Sequence, residues 1–204
     1  PDTSAENNFS AFSPKLALSY ALKENQLLYL SYSRGFRTGG LTQLGSDPSQ
    51  QPLFSYDPEF SDNVEAGWKN TWFNNKIRLN LAAFVTKVSQ AQVPTLVLPD
   101  AITVIQNAGT LMSKGFEVEL NARPLKGLEL QYNFGYTDAE YTRLRLSQNG
   151  QELNLDGNRQ IFTPSTISML VAQYSFPLKF KKPVHFIARG EWIHLGSQYF
   201  DLAN

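Results

Sequence analysis

The chain has 204 residues, 42% of them hydrophobic, with 18 basic against 18 acidic side chains and no cysteine. Its length is that of one domain or a large piece of one. The balanced charge gives no support to nucleic-acid binding, and the missing cysteine excludes disulfides, thiolate metal sites and cysteine nucleophiles. No apolar run approaches the roughly 18 residues of a membrane helix.

The sequence starts at Pro1-Asp2-Thr3-Ser4 with no basic segment followed by an apolar one, so no signal peptide is expected, and both ends read as cut. From there almost every segment alternates with period two, as strands do. The first two strands meet at a turn over Lys23 to Gln26. A three-residue loop there faces Leu22 with Leu28, Tyr20 with Leu30 and Leu18 with Tyr32. A long polar stretch follows, from Arg37 to Pro58.

The next turn is Asn74-Asn75, where asparagine tolerates the positive φ of a tight hairpin. It faces Trp72 with Ile77, Trp68 with Leu81, Ala66 with Ala83 and Val64 with Val85, all apolar except for Asn70 on the same face. The opposite face pairs Thr71 with Arg78 and Lys69 with Asn80, and sets Glu65 against Phe84. A second polar stretch runs from Ser89 to Ser113; Pro94 and Pro99 fall in it, and its apolar Val93 to Leu98 run suits a hairpin within a loop. The turn at Arg123 to Gly127 faces Ala122 with Leu128, Leu120 with Leu130, Val118 with Tyr132 and Phe116 with Phe134. Its other face pairs Asn121 with Glu129, Glu119 with Gln131 and Glu117 with Asn133. A third polar stretch spans Thr137 to Pro164, and a last turn lies between Pro177 and Pro183.

Short and long connections thus alternate. Bacterial outer-membrane barrels have short periplasmic turns and long extracellular loops. A soluble β-sandwich also alternates apolar and polar residues. Against it stand strands of about 10 residues, longer than the usual mode of about five or six and near the membrane requirement of about nine to eleven. The polar face carries charges, and Phe12, Trp72, Phe73, Tyr136, Tyr174, Phe176 and Trp192 gather near strand ends, as interfacial girdles do. The expected fold is all-β: an antiparallel up-and-down transmembrane β-barrel, of which this chain supplies about 8–9 strands.

Several segments in order resemble the barrel of TonB-dependent receptors. They are Phe12-Ser13-Pro14-Lys15, the run Ser31 to Gly40 containing Arg34-Gly35-Phe36-Arg37, Tyr56-Asp57-Pro58-Glu59, and Asn63-Val64-Glu65-Ala66-Gly67-Trp68-Lys69. Gln90 to Val93, Gln106-Asn107-Ala108-Gly109, Gly115-Phe116-Glu117-Val118-Glu119 and Tyr136-Thr137-Asp138-Ala139 continue the series, and Asn158-Arg159 to Pro164-Ser165 fits more loosely. The resemblance covers nearly the whole chain. It implies a Gram-negative outer-membrane receptor for a ferric siderophore or similar scarce nutrient, and a family barrel of roughly 22 strands around a plug. The plug domain, the TonB-contacting segment and the terminal strand are not in this sequence. Implied partners are outer-membrane lipid, the plug of the same parent chain, the TonB complex and the chelate. No resident cofactor or metal is implied, since iron arrives only inside the chelate.

Under that resemblance Arg34, Phe36 and Arg37 stand where an outer loop begins and are ligand candidates, although such arginines more often pair with loop carboxylates. Glu65, Lys69, Arg78, Glu117 and Glu119 are expected to face the lumen, where charges are hydrated, paired or in contact with the plug. Catalysis has little to stand on. The two histidines, His185 and His194, are nine residues apart, so an unbulged strand points them to opposite faces. The rival readings are a passive porin-type channel, a soluble β-rich binding module and a barrel enzyme.

Overall fold

The computed structural model describes residues 6–43, 53–97, 102–148, 151–178 and 184–204. Eleven strands follow in order: β1 (Lys15–Lys23), β2 (Gln26–Arg37), β3 (Gly40–Gln43), β4 (Leu53–Tyr56), β5 (Glu59–Trp72), β6 (Ile77–Val97), β7 (Ile102–Ala122), β8 (Leu128–Gln148), β9 (Gln151–Asn154), β10 (Thr166–Leu178) and β11 (Val184–Leu195). One antiparallel sheet runs β1-β2-β5-β6-β7-β8-β10-β11, with β9 added to β8, while β3 and β4 form a separate hairpin. Among the described residues β1 and β11 are its two edges, and the sheet is not closed on itself. The all-β, up-and-down expectation holds.

Register follows from turn chemistry. At Asn74-Asn75 the expected pairs are all present, from Trp72 with Ile77 to Val64 with Val85. The Lys76 N–H donates to the Phe73 carbonyl at 3.2 Å, and Asn74 and Asn75 take φ of 55° and 66°, the left-handed values of a type I′ turn.

The other two hairpins are each offset by two residues from expectation. In the first, Tyr20 faces Leu28, Leu18 faces Leu30 and Leu16 faces Tyr32, because a register shift between Ala21 and Lys23 lets Lys23 pair with Gln26. In the other, Ala122 faces Leu130, Leu120 faces Tyr132, Val118 faces Phe134 and Phe116 faces Tyr136. There Leu128 closes a turn onto the Leu125 carbonyl, and Arg123 donates to Lys76 across the neighbouring hairpin, so the connection is longer than the sequence suggests. A two-residue offset leaves every side chain on its expected face, since the pleat repeats every two residues. The last turn lies in residues 179–183, outside the described residues.

The second and third polar stretches are mostly strand rather than loop. β6, β7 and β8 each run for 21 residues, far past the apolar band. Val93 to Val97 pairs with Ile102 to Gln106, so the expected apolar hairpin exists, although residues 98–101, with Pro99, lie outside the described residues. Gln90 takes a positive φ of 57° at a bulge that breaks the alternation at this point. Above it the tips of β6, β7 and β8, together with Leu155, enclose a small core of Ala91, Val93, Ala108, Leu111, Tyr141, Leu144, Leu146 and Leu155. Below it the sheet is a single layer.

Candidate functional site

The single-layer part has two chemically different faces. Cross-strand rows run from Tyr20 through Leu28, Trp68, Leu81, Val118 and Phe134, all apolar. One residue along, Lys69 faces Asn80, Asn80 faces Glu119 and Glu119 faces Asn133. The apolar face is exposed in the described chain: Leu18 is 71% exposed, Leu30 51% and Trp192 53%. Asn70, the polar residue on this face, shares it with Trp68 and Trp72, whose rings meet edge to face at 6.2 Å, and is 1% exposed.

The polar face holds a groove of about 540 Å³ lined by Tyr29, Glu65, Lys69, Glu117, Glu119 and Asn133. Four of the five residues expected on this face therefore come together. Tyr29, missed by sequence reasoning, joins them: its hydroxyl donates to Glu65 Oε1 at 2.7 Å, and Lys69 Nζ lies 5.3 Å from its ring centroid. The ring occupies the space above Gly67, its cross-strand partner, where any Cβ would collide with it. That pairing was the available signal, an aromatic opposite a strand glycine. Glu119 accepts from Asn80 Nδ2 at 3.0 Å and Asn121 Nδ2 at 2.9 Å, so its charge is held by amides rather than by a cation.

Arg78, the fifth residue, lies toward the short turns in a separate polar recess of about 300 Å³ with Arg123, Glu129 and Arg189. Arg123 pairs with Glu129 at 3.1 Å, and Arg189 pairs with Glu191 at 2.6 Å. The groove is rich in carboxylates and the recess in guanidinium groups, so the polar face carries a gradient of charge along its height.

The three residues expected at a loop separate. β2 continues unbroken through them, pairing Arg34 with Asp62, Phe36 with Phe60 and Arg37 with Glu59. Arg34 and Phe36 fall on the apolar face and Arg37 on the polar one. The Arg34 guanidinium lies 4.7 Å from the Phe60 ring centroid, and its Nε is 3.9 Å from Asp62 Oδ1, too long for a hydrogen bond. Counting parity from Tyr32 would have placed all three.

Four of the sequence motifs converge at the outer end. Gln92 Nε2 donates to the Thr38 carbonyl at 2.9 Å and the Asp57 carbonyl at 3.1 Å, and its N–H donates to Glu59 Oε2 at 2.7 Å. Asn107, directly across from Gln92, donates to the Asp57 and Gln90 carbonyls at 2.9 Å and accepts from the Asp57 N–H at 2.6 Å. These two amides pin the base of the β3–β4 excursion to the β6–β7 hairpin. Farther out, Asp156 accepts from the Leu144 N–H at 2.7 Å and from Arg145 at 3.2 Å. The backbone bond first, and then Arg145, hold its carboxyl below the usual carboxylate range. Burial, and then the Glu59 carboxylate, push the Tyr141 hydroxyl up.

His185 pairs with Pro177 and His194 with Ser168 in an unbulged ladder, so the histidines occupy opposite faces.

Comparisons with known proteins agree with this geometry. The model of the TonB dependent receptor-like, beta-barrel family matches residues 1–204. The metal-pseudopaline receptor CntO of Pseudomonas aeruginosa is 25% identical over 175 residues, which cover 86% of this chain and 22% of the relative. The ferric-pyoverdine 358 receptor of Pseudomonas putida is 28% identical over 130 residues, covering 62% of this chain and 15% of that protein. Among solved structures, the ferric yersiniabactin uptake receptor FyuA from Yersinia pestis superposes with a TM-score of 0.74 at 20% identity, covering 93% of this chain and 26% of that one. The chain thus spans about a quarter or less of the length of these relatives. With a two-faced antiparallel sheet, the expected motifs on its strands and a family match from the first residue to the last, this chain belongs to the TonB-dependent receptor-like β-barrel family.

Proposed function

We propose that the chain is a stretch of barrel wall from a longer Gram-negative outer-membrane receptor, and that the whole receptor imports a metal-carrying chelate, a ferric siderophore or a similar complex, using energy delivered through TonB. One observation carries this reading: a sheet with one continuous apolar face and one charged face, matched over its full length by the receptor-barrel family. From Ile77 to Val85 the apolar stretch rises about 20 Å for strands tilted as barrel strands are, close to the roughly 25 Å apolar band of such barrels. The apolar face meets lipid, where every unpaired backbone group costs several kcal/mol, so the wall requires strand partners along both edges.

Glu65, Lys69, Glu117 and Glu119 then look into the enclosed interior and, with Tyr29, form a polar surface against which a plug domain rests. Arg78, with Arg123 and Arg189, lines the same interior nearer the periplasm. Of the three residues at the outer end of β2, Arg37 is the ligand candidate, a role supported by its parity on the polar face. The names of the relatives include a metal-pseudopaline and a ferric-pyoverdine receptor, which supports a chelate as cargo. Uptake of labelled ferric chelate by cells producing the complete receptor tests the reading. Uptake is expected to stop when TonB is deleted, and uptake that persists without TonB would identify a passive channel instead.

A further inference from the structure

Where the apolar face ends, charged side chains begin, and they do so on the same side of the sheet. Arg34, Asp62 and Lys87 form one cross-strand row directly above Tyr32, Val64 and Val85. On the next two strands the step comes one pleat lower, with Lys114 opposite Val85 and facing Asp138. A tilted sheet gives this staircase when a horizontal boundary crosses it.

The acids of the row are occupied. Asp138 is held by Lys114 at 3.2 Å and by Arg159 at 2.5 Å, and its side chain is only 17% exposed. Asp62 accepts the Tyr32 hydroxyl at 2.7 Å and has Arg34 beside it. Two of the cations keep exposed side chains, Lys114 even though it pairs with Asp138. Lys114 is 63% exposed, and Lys87, diagonal to it through Met112, is exposed and has no ion pair among the described residues. Glu140 is the exposed acid nearby, one pleat farther out opposite Met112. Two exposed ammonium groups therefore sit at the upper edge of an apolar wall made by Val85, Ala83 and Phe116.

We propose that Lys87 and Lys114 form a docking site for a lipid of the outer leaflet whose phosphate headgroup carries a net negative charge, with its acyl chains on the apolar wall below and its headgroup phosphate between the two ammonium groups. A free anion would gain the charges but not the wall, and a zwitterionic lipid the wall but little from the charges. The proposal rests on the reading that this face meets lipid.

The test uses the complete receptor in detergent, with native mass spectrometry reporting bound lipid. The probes are phosphatidic acid and a phosphatidylcholine of the same acyl chains. Phosphatidic acid is expected to bind roughly tenfold more tightly, and the double variant Lys87→Gln/Lys114→Gln to lose most of that preference. Lys114→Arg should keep it, as should Lys126→Gln at the opposite end of the sheet, and inorganic phosphate should not displace the lipid. Equal binding of the two lipids, a preference that survives the double variant, or displacement by inorganic phosphate would each overturn the site. Phosphatidylcholine that still binds in those cases leaves the barrel reading standing, whereas a receptor that retains neither lipid counts against both.

Discussion

The lower wall and the outer extension are built from the same strands but stabilised differently. Below Lys87 and Lys114, β5 to β8 form one layer whose large apolar side chains, such as Val64 and Val85, remain about half exposed. Above them, the tips of β6 to β8 fold over one another and exclude water from Leu144, which is 0% exposed. The extension is packed as a soluble protein is. Among the described residues the wall has no apolar cluster of its own like that of the extension, and it takes its apolar environment from outside. One strand can therefore obey two solvents along its length, and the change falls where charge first appears on the outward face.

If the extension has a true core, Leu144→Ala should cost about 2–5 kcal/mol locally, through lost transfer and an unfilled cavity. Hydrogen exchange should show the β8–β9 tip opening while the wall amides stay protected. The wall should respond to charge instead. Leu81→Arg is expected to cost about 2–4 kcal/mol, measured by reversible unfolding from liposomes, whereas Asn80→Arg one position away should cost little. Tyr29→Phe sharpens the contrast on the polar face, since loss of the bond to Glu65 should cost about 1 kcal/mol without altering membrane insertion.

The smallest effect concerns pH. The folded Asp156 carboxyl is held below its ordinary value, so its contribution is complete above the unfolded pKa and disappears as pH falls through the lower folded one. Hydrogen exchange at the β8–β9 tip should therefore be insensitive to this group near neutral pH and accelerate only under acid conditions below the usual carboxylate range. Asp156→Asn should remove that acid step.

Much of the wall was legible because period two is a strong signal wherever one face is lipid and the other is not. Even where the turns expected at Lys23 to Gln26 and Arg123 to Gly127 misled the register by two residues, the faces came out right. The extension was read as loop because both faces of a strand standing in water can be polar, and the Gln90 bulge then erases the remaining alternation. The site was legible in part. Glu65, Lys69, Glu117 and Glu119 were found from charge on one parity. Tyr29 was missed because an aromatic looked misplaced among polar neighbours, and its reason is Gly67 on the next strand. Arg34, Phe36 and Arg37 were placed by the resemblance where an outer loop begins, although β2 continues in register to Arg37.

The most direct test reads which face of β6 touches hydrocarbon. Single cysteines can be placed in turn from Leu79 to Val85, a stretch with no cysteine of its own, in a complete receptor carrying no other cysteine, and labelled with an environment-sensitive fluorophore in liposomes containing spin-labelled lipid. A two-faced wall predicts alternation, with positions 79, 81, 83 and 85 quenched by lipid and 80, 82 and 84 not. Uniform quenching, or quenching confined to the set that includes Asn80, would contradict it.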